Sequence, residues 1–526
     1  MFLELPALVQ SLVLHRLLLV PAALLSALLL WRIWRFTVLP IVRPNEPREL
    51  PYWTPCTCHT IAFFGNSDKL LERGLNYIGR THEVYAIQVF RKKLYIITSP
   101  QDVAIAFRDN DALHFDGHLN ELLCNWGFEG EALRLSWHIP QPGDRCYIPG
   151  NTLNPRHLSL NRFTEEVYRE QLLPGPKMDV MYKVFADALF TTLQWSALDF
   201  CTVGFQGKSK LLSLRSLCRH TMVDATTRSM FGSHLHQINP NVVGNMMNFN
   251  DHAWMVFFMY PDVFGSPVTE PRKQLMDTLK TFISMPEHMR SEQSWSIETI
   301  LQWQEIVGID LHSRASIILM IFWAANSNEY NISFWVMAHL LHKPELFKLV
   351  YDETEAAWHD EELDIKSLCT NAHNLNAIFA EALRLNGGAM VSRVVRKPIT
   401  LGRKTLQPGH SALIPARQLH MNEKVWGDDV AEFDPMRFQN KKNLLRHSSY
   451  RPFGGGCTYC PGRVLAKEEV FSFIAILFHR YDIKLADVGG KQEFPKLDDS
   501  TPALGITGPV STMDVIVEAT LKNGIS

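Results

Sequence analysis

The chain has 526 residues, 46% of them hydrophobic and 20% charged, too apolar for a disordered polymer and too long for a small disulfide-stapled scaffold. Its 52 Lys and Arg against 54 Asp and Glu leave a net charge of −2, which indicates neither a basic nucleic-acid face nor an acidic tail. Nine cysteines are odd in number and too sparse for a disulfide framework, so a reducing compartment is expected, with one or two thiols in chemical roles.

From Ala7 to Trp31 the chain is mostly apolar, interrupted early by Gln10, Ser11, His15 and Arg16 and densest from Leu17 to Leu30. A membrane-spanning helix needs about 20 predominantly apolar residues and tolerates a proline, here Pro21. The alternative, a cleaved signal peptide, requires a small-residue cleavage site. Instead the stretch ends in Trp31, Arg32, Trp34 and Arg35, residues suited to an interfacial anchor and stop signal. Arg16 can snorkel if it lies near the luminal end. Arg32, Arg35, Arg43 and Arg48 all follow the span, so the positive-inside rule places the main body in the cytosol. Pro40, Pro44, Pro47, Pro51 and Pro55 then read as a stiff extended connector. The expected organisation is an anchor at 1–39, a connector at 40–55 and one body at 56–526. No repeat or low-complexity linker divides that body.

Helical periodicity dominates the body, as in Leu158 to Leu173, Val184 to Leu193, Ile297 to Val307 and Ile317 to Leu341. Strand-like runs are the minority: Tyr85 to Val89, Leu94 to Ile97, Val394 to Leu401 and, at the end, Met513 to Ala519. The fold class is therefore mainly α with small β-sheets, preceded by one N-terminal transmembrane helix.

Three patterns in the last 150 residues carry chemistry. The run Phe453-Gly454-Gly455-Gly456-Cys457-Thr458-Tyr459-Cys460-Pro461-Gly462-Arg463 precedes an apolar helical stretch, Val464 to Phe478. Its glycines permit close backbone approach, and Cys460 stands before a helix N-terminus, where the dipole favours a thiolate. Such a sulfur suits a haem iron. Cys457 and Cys460 also form a C-x-x-C pair, compatible with a redox couple or half a zinc site, though no βαβ context or second pair accompanies it. A glycine-rich turn with buried thiols is the plainest alternative. The second pattern, Glu381-Ala382-Leu383-Arg384, puts an acid and a base on one helix face within an apolar segment, Leu375 to Leu385. The third, Phe433-Asp434-Pro435-Met436-Arg437-Phe438, offers a further guanidinium for a buried charge cluster.

In this order and at these spacings the three patterns resemble those of the cytochrome P450 haem-thiolate family, a likeness that extends to the anchor, the proline segment and the long helix containing Trp335. The resemblance implies a P450 fold with haem b, Cys460 as axial ligand and metal-binding residue, and Phe453 against the proximal face. Gly456 and Thr458 belong to the same cofactor loop. It implies a structural ionic triad of Glu381, Arg384 and Arg437, and a haem-propionate partner in Arg393. Relatives commonly carry Arg or His two positions before the cysteine, where this chain has Thr458; Arg156 and His157 are candidates for the usual basic partners elsewhere.

The distal helix also departs from the family's common pattern. In Phe322-Trp323-Ala324-Ala325-Asn326-Ser327-Asn328-Glu329-Tyr330, the small pair leaves room for dioxygen, but Ser327 and Asn328 replace the usual acid and threonine. This resembles the branch with sterol 7α-hydroxylase, prostacyclin synthase and fungal secondary-metabolism enzymes. Asn328 and Glu329, beside Ala325, are the catalytic candidates, either as a proton route or, for the asparagines and Ser327, as satisfiers of a helix bulge. Trp254, Phe257, Phe258, Met259 and Tyr260, before Pro261, suit either substrate access or ordinary packing. Ile506-Thr507-Gly508 is a candidate pocket-lining turn, and the sequon at Asn331 falls inside a cytosolic helix.

The expected activity is monooxygenation of a lipophilic terpenoid, sterol or polyketide at the endoplasmic reticulum membrane. With no dinucleotide fingerprint in the chain, electrons must come from a separate NADPH-cytochrome P450 reductase. A reductase-independent isomerase or dehydratase acting on a peroxide, and a non-enzymatic haem carrier, are the alternatives.

Overall fold

Where the apolar spacing is three to four residues the chain forms helices, and these make up most of the molecule. The computed structural model describes residues 7–90, 92–260 and 267–522, with side chains from Leu19 onward. Arg16's side chain and Pro261 therefore lie outside the described residues. Two compact units result, Met1–His114 with Ser392–Ile414, and Phe115–Val391 with Pro415–Ser526.

The first unit begins with the helix Ala7–Ile33, which accommodates Pro21 and continues through a π-helical turn, Trp34–Val38, into Leu39–Val42. Leu19–Val42, 24 residues long and almost wholly unburied, is apolar enough to cross a membrane. Pro40 does not start the extended connector as the sequence suggested. It sits in Leu39–Val42, directly after the π-helical turn, the kind of local irregularity by which a helix accommodates a proline that cannot donate, and irregular chain begins at Arg43. The arginines at the helix end do more than mark an interface. Arg35 pairs with Glu49 at 2.9 Å and donates to Gln88 at 2.9 Å, while Arg32 donates to the carbonyl of Tyr52 and lies 3.9 Å over the Trp53 ring. Trp31 and Phe36 pack on Tyr52.

A six-stranded sheet holds this unit, in the order Arg48–Glu49, Tyr85–Val89, Lys92–Ile96, Ser411–Pro415, Met390–Val395 and Leu113–His114. The hairpin pairs Tyr85 with Ile96, and Ser411 runs parallel to Leu94. The run expected as one strand from Val394 to Leu401 is two, Met390–Val395 and Ile399–Leu401. Pro398 lies between them, and proline cannot donate to a ladder.

The second unit is largely helical around the fully buried Trp126, Trp303 and Trp335. The helices that position the site are Leu311–Asn326, Glu329–His342, His373–Asn386 and Arg463–Arg480. The last is buried on nearly every side from Glu468 to Phe478 and packs on Pro176–Thr192, Glu329–His342 and Pro344–Glu355. A four-stranded antiparallel sheet, in the order Tyr481–Leu485, Ile516–Leu521, Ser209–Ser213 and Thr202–Gln206, closes it. The expected single helix from Ile317 to Leu341 is interrupted at Ser327 and Asn328.

Candidate active site

The Glu381–Arg384 pair at the centre of the charge cluster is buried and densely bonded. Arg384 grips Glu381 with two hydrogen bonds, Nε to Oε2 at 2.8 Å and Nη2 to Oε1 at 2.7 Å, both side chains having no exposed surface. Its other nitrogen donates to the carbonyls of His420 and Val430 at 3.0 and 2.7 Å. Arg437 Nε lies 3.4 Å from Glu381, completing the triad, yet its closer carboxylate is Asp429 at 2.7 Å. A guanidinium removed from water needs such partners on every edge. Asp429 carries no motif signal in the sequence.

His420 links this cluster to the cysteine loop. Its Nδ1 lies 3.0 Å from the carbonyl of Arg384, which accepts only from an N–H, and its Nε2 accepts the Arg451 N–H at 3.0 Å. Those two bonds fix the neutral tautomer. Burial, reinforced by the Arg384 charge, lowers its pKa to about 3.

Two residues after Arg451 the loop folds back on itself, the Cys460 N–H donating to Phe453 O at 3.0 Å. Gly454 and Gly456 adopt left-handed φ of 72° and 62°, conformations that side chains disfavour. Thr458 donates its hydroxyl to Gly455 O at 3.1 Å, so that proton is used inside the loop. Phe453 packs against the main core, whereas Cys457 is exposed. Backbone N–H groups of Gly462 and Arg463 point at the Cys460 sulfur at the start of Arg463–Arg480. Burial raises the thiol's pKa, the two amides pull it down, and the Glu329 carboxyl pushes it up again. A half-buried sulfur held by two amides is the donor environment a thiolate-ligated haem iron requires, and the residues present fit that group.

The helix break lies between Leu311–Asn326 and Glu329–His342. Ser327 Oγ donates to Ala324 O, and Asn328 Nδ2 donates to Ser327 Oγ at 2.7 Å; side chains thus compete with the helical ladder. Asn328 Oδ1 accepts the Ile506 N–H at 2.7 Å. Asn331 and Trp335, on the next turns, donate to the carbonyls of Ile506 and Thr507 at 3.0 and 2.8 Å. The C-terminal turn is thereby stitched to Glu329–His342, and a Cβ on Gly505 would overlap Asn328 Oδ1. Asn328 borders a polar cavity of about 140 Å³ shared with Arg219, Asn250 and Tyr330. Both ends of its amide are committed to structure, as the helix-bulge alternative requires.

Between buried neighbours, Ala324 is exposed and Ala325 and Glu329 are partly so. The Glu329 carboxyl accepts the Asn328 N–H at 3.3 Å, and burial raises its pKa to about 7. Its electrostatic influence reaches both Cys460 and Glu469. Glu469, missed in the sequence, is buried on Arg463–Arg480 and pushed well above the usual carboxylate range by burial and then by the charges of Glu329 and Glu468. The second unit therefore holds Phe453, Gly456, Thr458 and Cys460 in one loop and puts Glu329 within electrostatic reach of Cys460.

Arg393 lies in the first unit, with no exposed surface, its guanidinium donating to Ser392 O and lying 5.7 Å from the Phe107 ring. Arg156 is two-thirds exposed, while His157 stacks on Tyr147. In the aromatic cluster Phe257 touches Trp323 and Phe258, Trp254 packs on Tyr260, and Met259 is half exposed with φ of 51°.

A family model described as Cytochrome P450 matches residues 202–505. The chain is similar, at 22% identity over 517 residues, to a cytochrome P450 monooxygenase of Penicillium decumbens, the alignment covering 90% of this chain and 94% of that one. A cytochrome P450 monooxygenase of Penicillium oxalicum is 23% identical over 482 residues, covering 89% and 93%. Cytochrome P450 7A1 of Oryctolagus cuniculus is 25% identical over 228 residues, covering 39% and 45%.

Proposed function

The chain belongs to the cytochrome P450 family, monooxygenases whose haem is held by a cysteine thiolate, and on that premise we propose that it hydroxylates a lipophilic small molecule, a terpenoid, sterol or polyketide of secondary metabolism. Bound haem supplies the activation of dioxygen. Cys460 is its ligand, steadied by the amides of Gly462 and Arg463. Gly456, with its left-handed φ, lets the backbone turn beside that sulfur, and Phe453 would pack against the haem from the same loop. Thr458 is assigned to a haem carboxylate by its place in the motif order, its hydroxyl being held meanwhile by Gly455 O. Ala325 leaves room for the reacting oxygen. Glu329, with its pKa raised to about 7, gives up a proton at neutral pH and can regain it. Asn328 positions Glu329 by holding the helix break.

The observation that carries this reading is the half-buried Glu329 carboxyl at the broken helix, next to Asn328 whose N–H it accepts. A proton donor poised there serves oxygen chemistry, whereas rearrangement of a peroxide needs no delivered proton. Electrons are assigned to a separate NADPH-dependent reductase. The anchor at 1–39, connector at 40–55 and haem body at 56–526 are assigned to the endoplasmic reticulum, with the body cytosolic, as the arginines after the span favour.

Two measurements test this. Product should form in proportion to NADPH consumed with the reductase present; product from a peroxide without NADPH would overturn the monooxygenase assignment. The reduced carbon-monoxide spectrum should carry the red-shifted Soret band of thiolate ligation. Cys460→Ala should abolish that band and Cys457→Ala should leave it.

A further inference from the structure

We propose that the segment joining the helices Gly130–Trp137 and Leu160–Leu172 carries a zinc-binding site made by His138, Asp144 and Cys146. One ligand atom from each lies within 4.8 Å of the others, the group of three or more His, Cys, Asp or Glu side chains so clustered among the described residues. His138 Nε2 is 2.6 Å from Asp144 Oδ2, and each of these side chains is about one-third exposed. Cys146 is 6% exposed. The site thus has a sulfur floor and a nitrogen–oxygen rim open to solvent.

The backbone holds these groups in place without a metal. Asp144 N–H donates to Gln141 O at 2.9 Å, and Tyr147 N–H to Asp144 O at 3.0 Å. Asp144 Oδ2 accepts the Gln141 N–H at 2.7 Å, and Gly143 makes the turn with φ of 101°. Asp144 and Cys146 are therefore presented two residues apart on a fixed turn, facing a histidine that ends the preceding helix.

The donor set decides the ion. Imidazole, carboxylate and thiolate together suit zinc, which takes nitrogen, oxygen and sulfur ligands. Calcium and magnesium want oxygen only, and copper(I) prefers more sulfur. Three protein ligands with an exposed rim leave the fourth tetrahedral position to water. Bonds of about 2.0–2.3 Å place tetrahedral ligand atoms roughly 3.5 Å apart, so the 2.6 Å His138–Asp144 contact opens by about an ångström, and the Cys146 sulfur, already within 4.8 Å of both, adjusts by side-chain rotation. The Cys146 thiol proton passes to solvent, the Nε2 proton that His138 now gives to Asp144 moves by way of solvent to Nδ1 so that Nε2 can bind, two bonds to the metal replace the His138–Asp144 hydrogen bond, and Asp144 keeps the Gln141 N–H. No electron is transferred.

The test uses the haem-loaded full chain with one equivalent of zinc ion. X-ray absorption at the zinc edge should show one sulfur at about 2.3 Å and nitrogen or oxygen at about 2.0–2.1 Å. Cys146→Ala should lose the sulfur shell. His138→Gln, which keeps the side chain's bulk, should weaken zinc in competition with a chelator by more than the roughly 10–100-fold that loss of an outer-shell partner causes. Both variants should keep the wild-type haem spectrum, and Cys457→Ser should leave the zinc shell unchanged. A wild-type shell of nitrogen and oxygen alone, a sulfur that survives Cys146→Ala, or undiminished affinity in His138→Gln would each overturn the site.

Discussion

Glu329 shows how a single side chain changes meaning once its surroundings are known. In the sequence it follows Asn328 at the position family likeness makes catalytic, and nothing separated the two. The fold separates them: Asn328 spends its amide on Ser327 and Ile506, while Glu329 keeps a carboxyl whose pKa burial raises to about 7. Below that pH the acid form holds its proton; above it the donor is lost. Activity that depends on Glu329 should therefore decline as pH rises through about 7. Glu329→Gln should keep the haem spectrum, lower product per NADPH by roughly 10²-fold or more, and flatten that limb of the pH profile. An unchanged coupling ratio would remove Glu329 from the mechanism. Cys460 stood out in the sequence because the glycine run, the helix that follows it and the order of the three patterns converge on one thiol. His420 did not, since its two bonds join backbone groups of Arg384 and Arg451 that only folding brings near.

At the scale of elements, the apolar period located the helices well, because burial of one stripe is what forms them. It could not find the interruption at Ser327 and Asn328, where apolar spacing continues across the break and the cause lies some 178 residues away, at Ile506. Likewise the tie from Trp335 to Thr507 has no local signature. The close approach of Gly505 to Asn328 makes this junction testable. Gly505→Ala should destabilise by about 1–3 kcal/mol through overpacking, and Asn328→Ala by a similar amount through the unpaired Ile506 N–H. Together they should cost clearly less than the sum, because the second change removes the atom the new methyl strikes. Additive losses in urea unfolding would contradict the junction as described.

Across the whole molecule, buried ionisable groups oppose one another in their pH response. His420 and His339 both have pKa values lowered to about 3, so below about 6.5 the unfolded chain takes up protons that the folded one refuses, and stability falls as pH drops toward 3. Glu329 and Glu469 are raised, so the folded chain holds protons that the unfolded one releases, and their contribution fades as pH rises, for Glu329 through about 7. These terms offset between about pH 4.5 and 6.5. His420→Gln should expose one of them: its destabilisation should be smaller at pH 5.5 than at pH 7.5 by about 1.4 kcal/mol. An equal penalty at both pH values would show that His420 is protonated inside the fold.

The fastening of the N-terminal helix to the sheet makes that helix a lever instead of a leash. Arg35 on Glu49 and Gln88, and Arg32 on Tyr52, transmit any change in the helix's tilt directly to the strands. For a soluble form this fixes where to cut. Starting the chain at Trp31 keeps every one of those contacts, whereas starting at Thr37 strands the carboxylate of Glu49, whose side chain is 11% exposed, and bares the ring of Tyr52, which is 6% exposed. The longer of the two should melt higher although it carries more of the greasy helix.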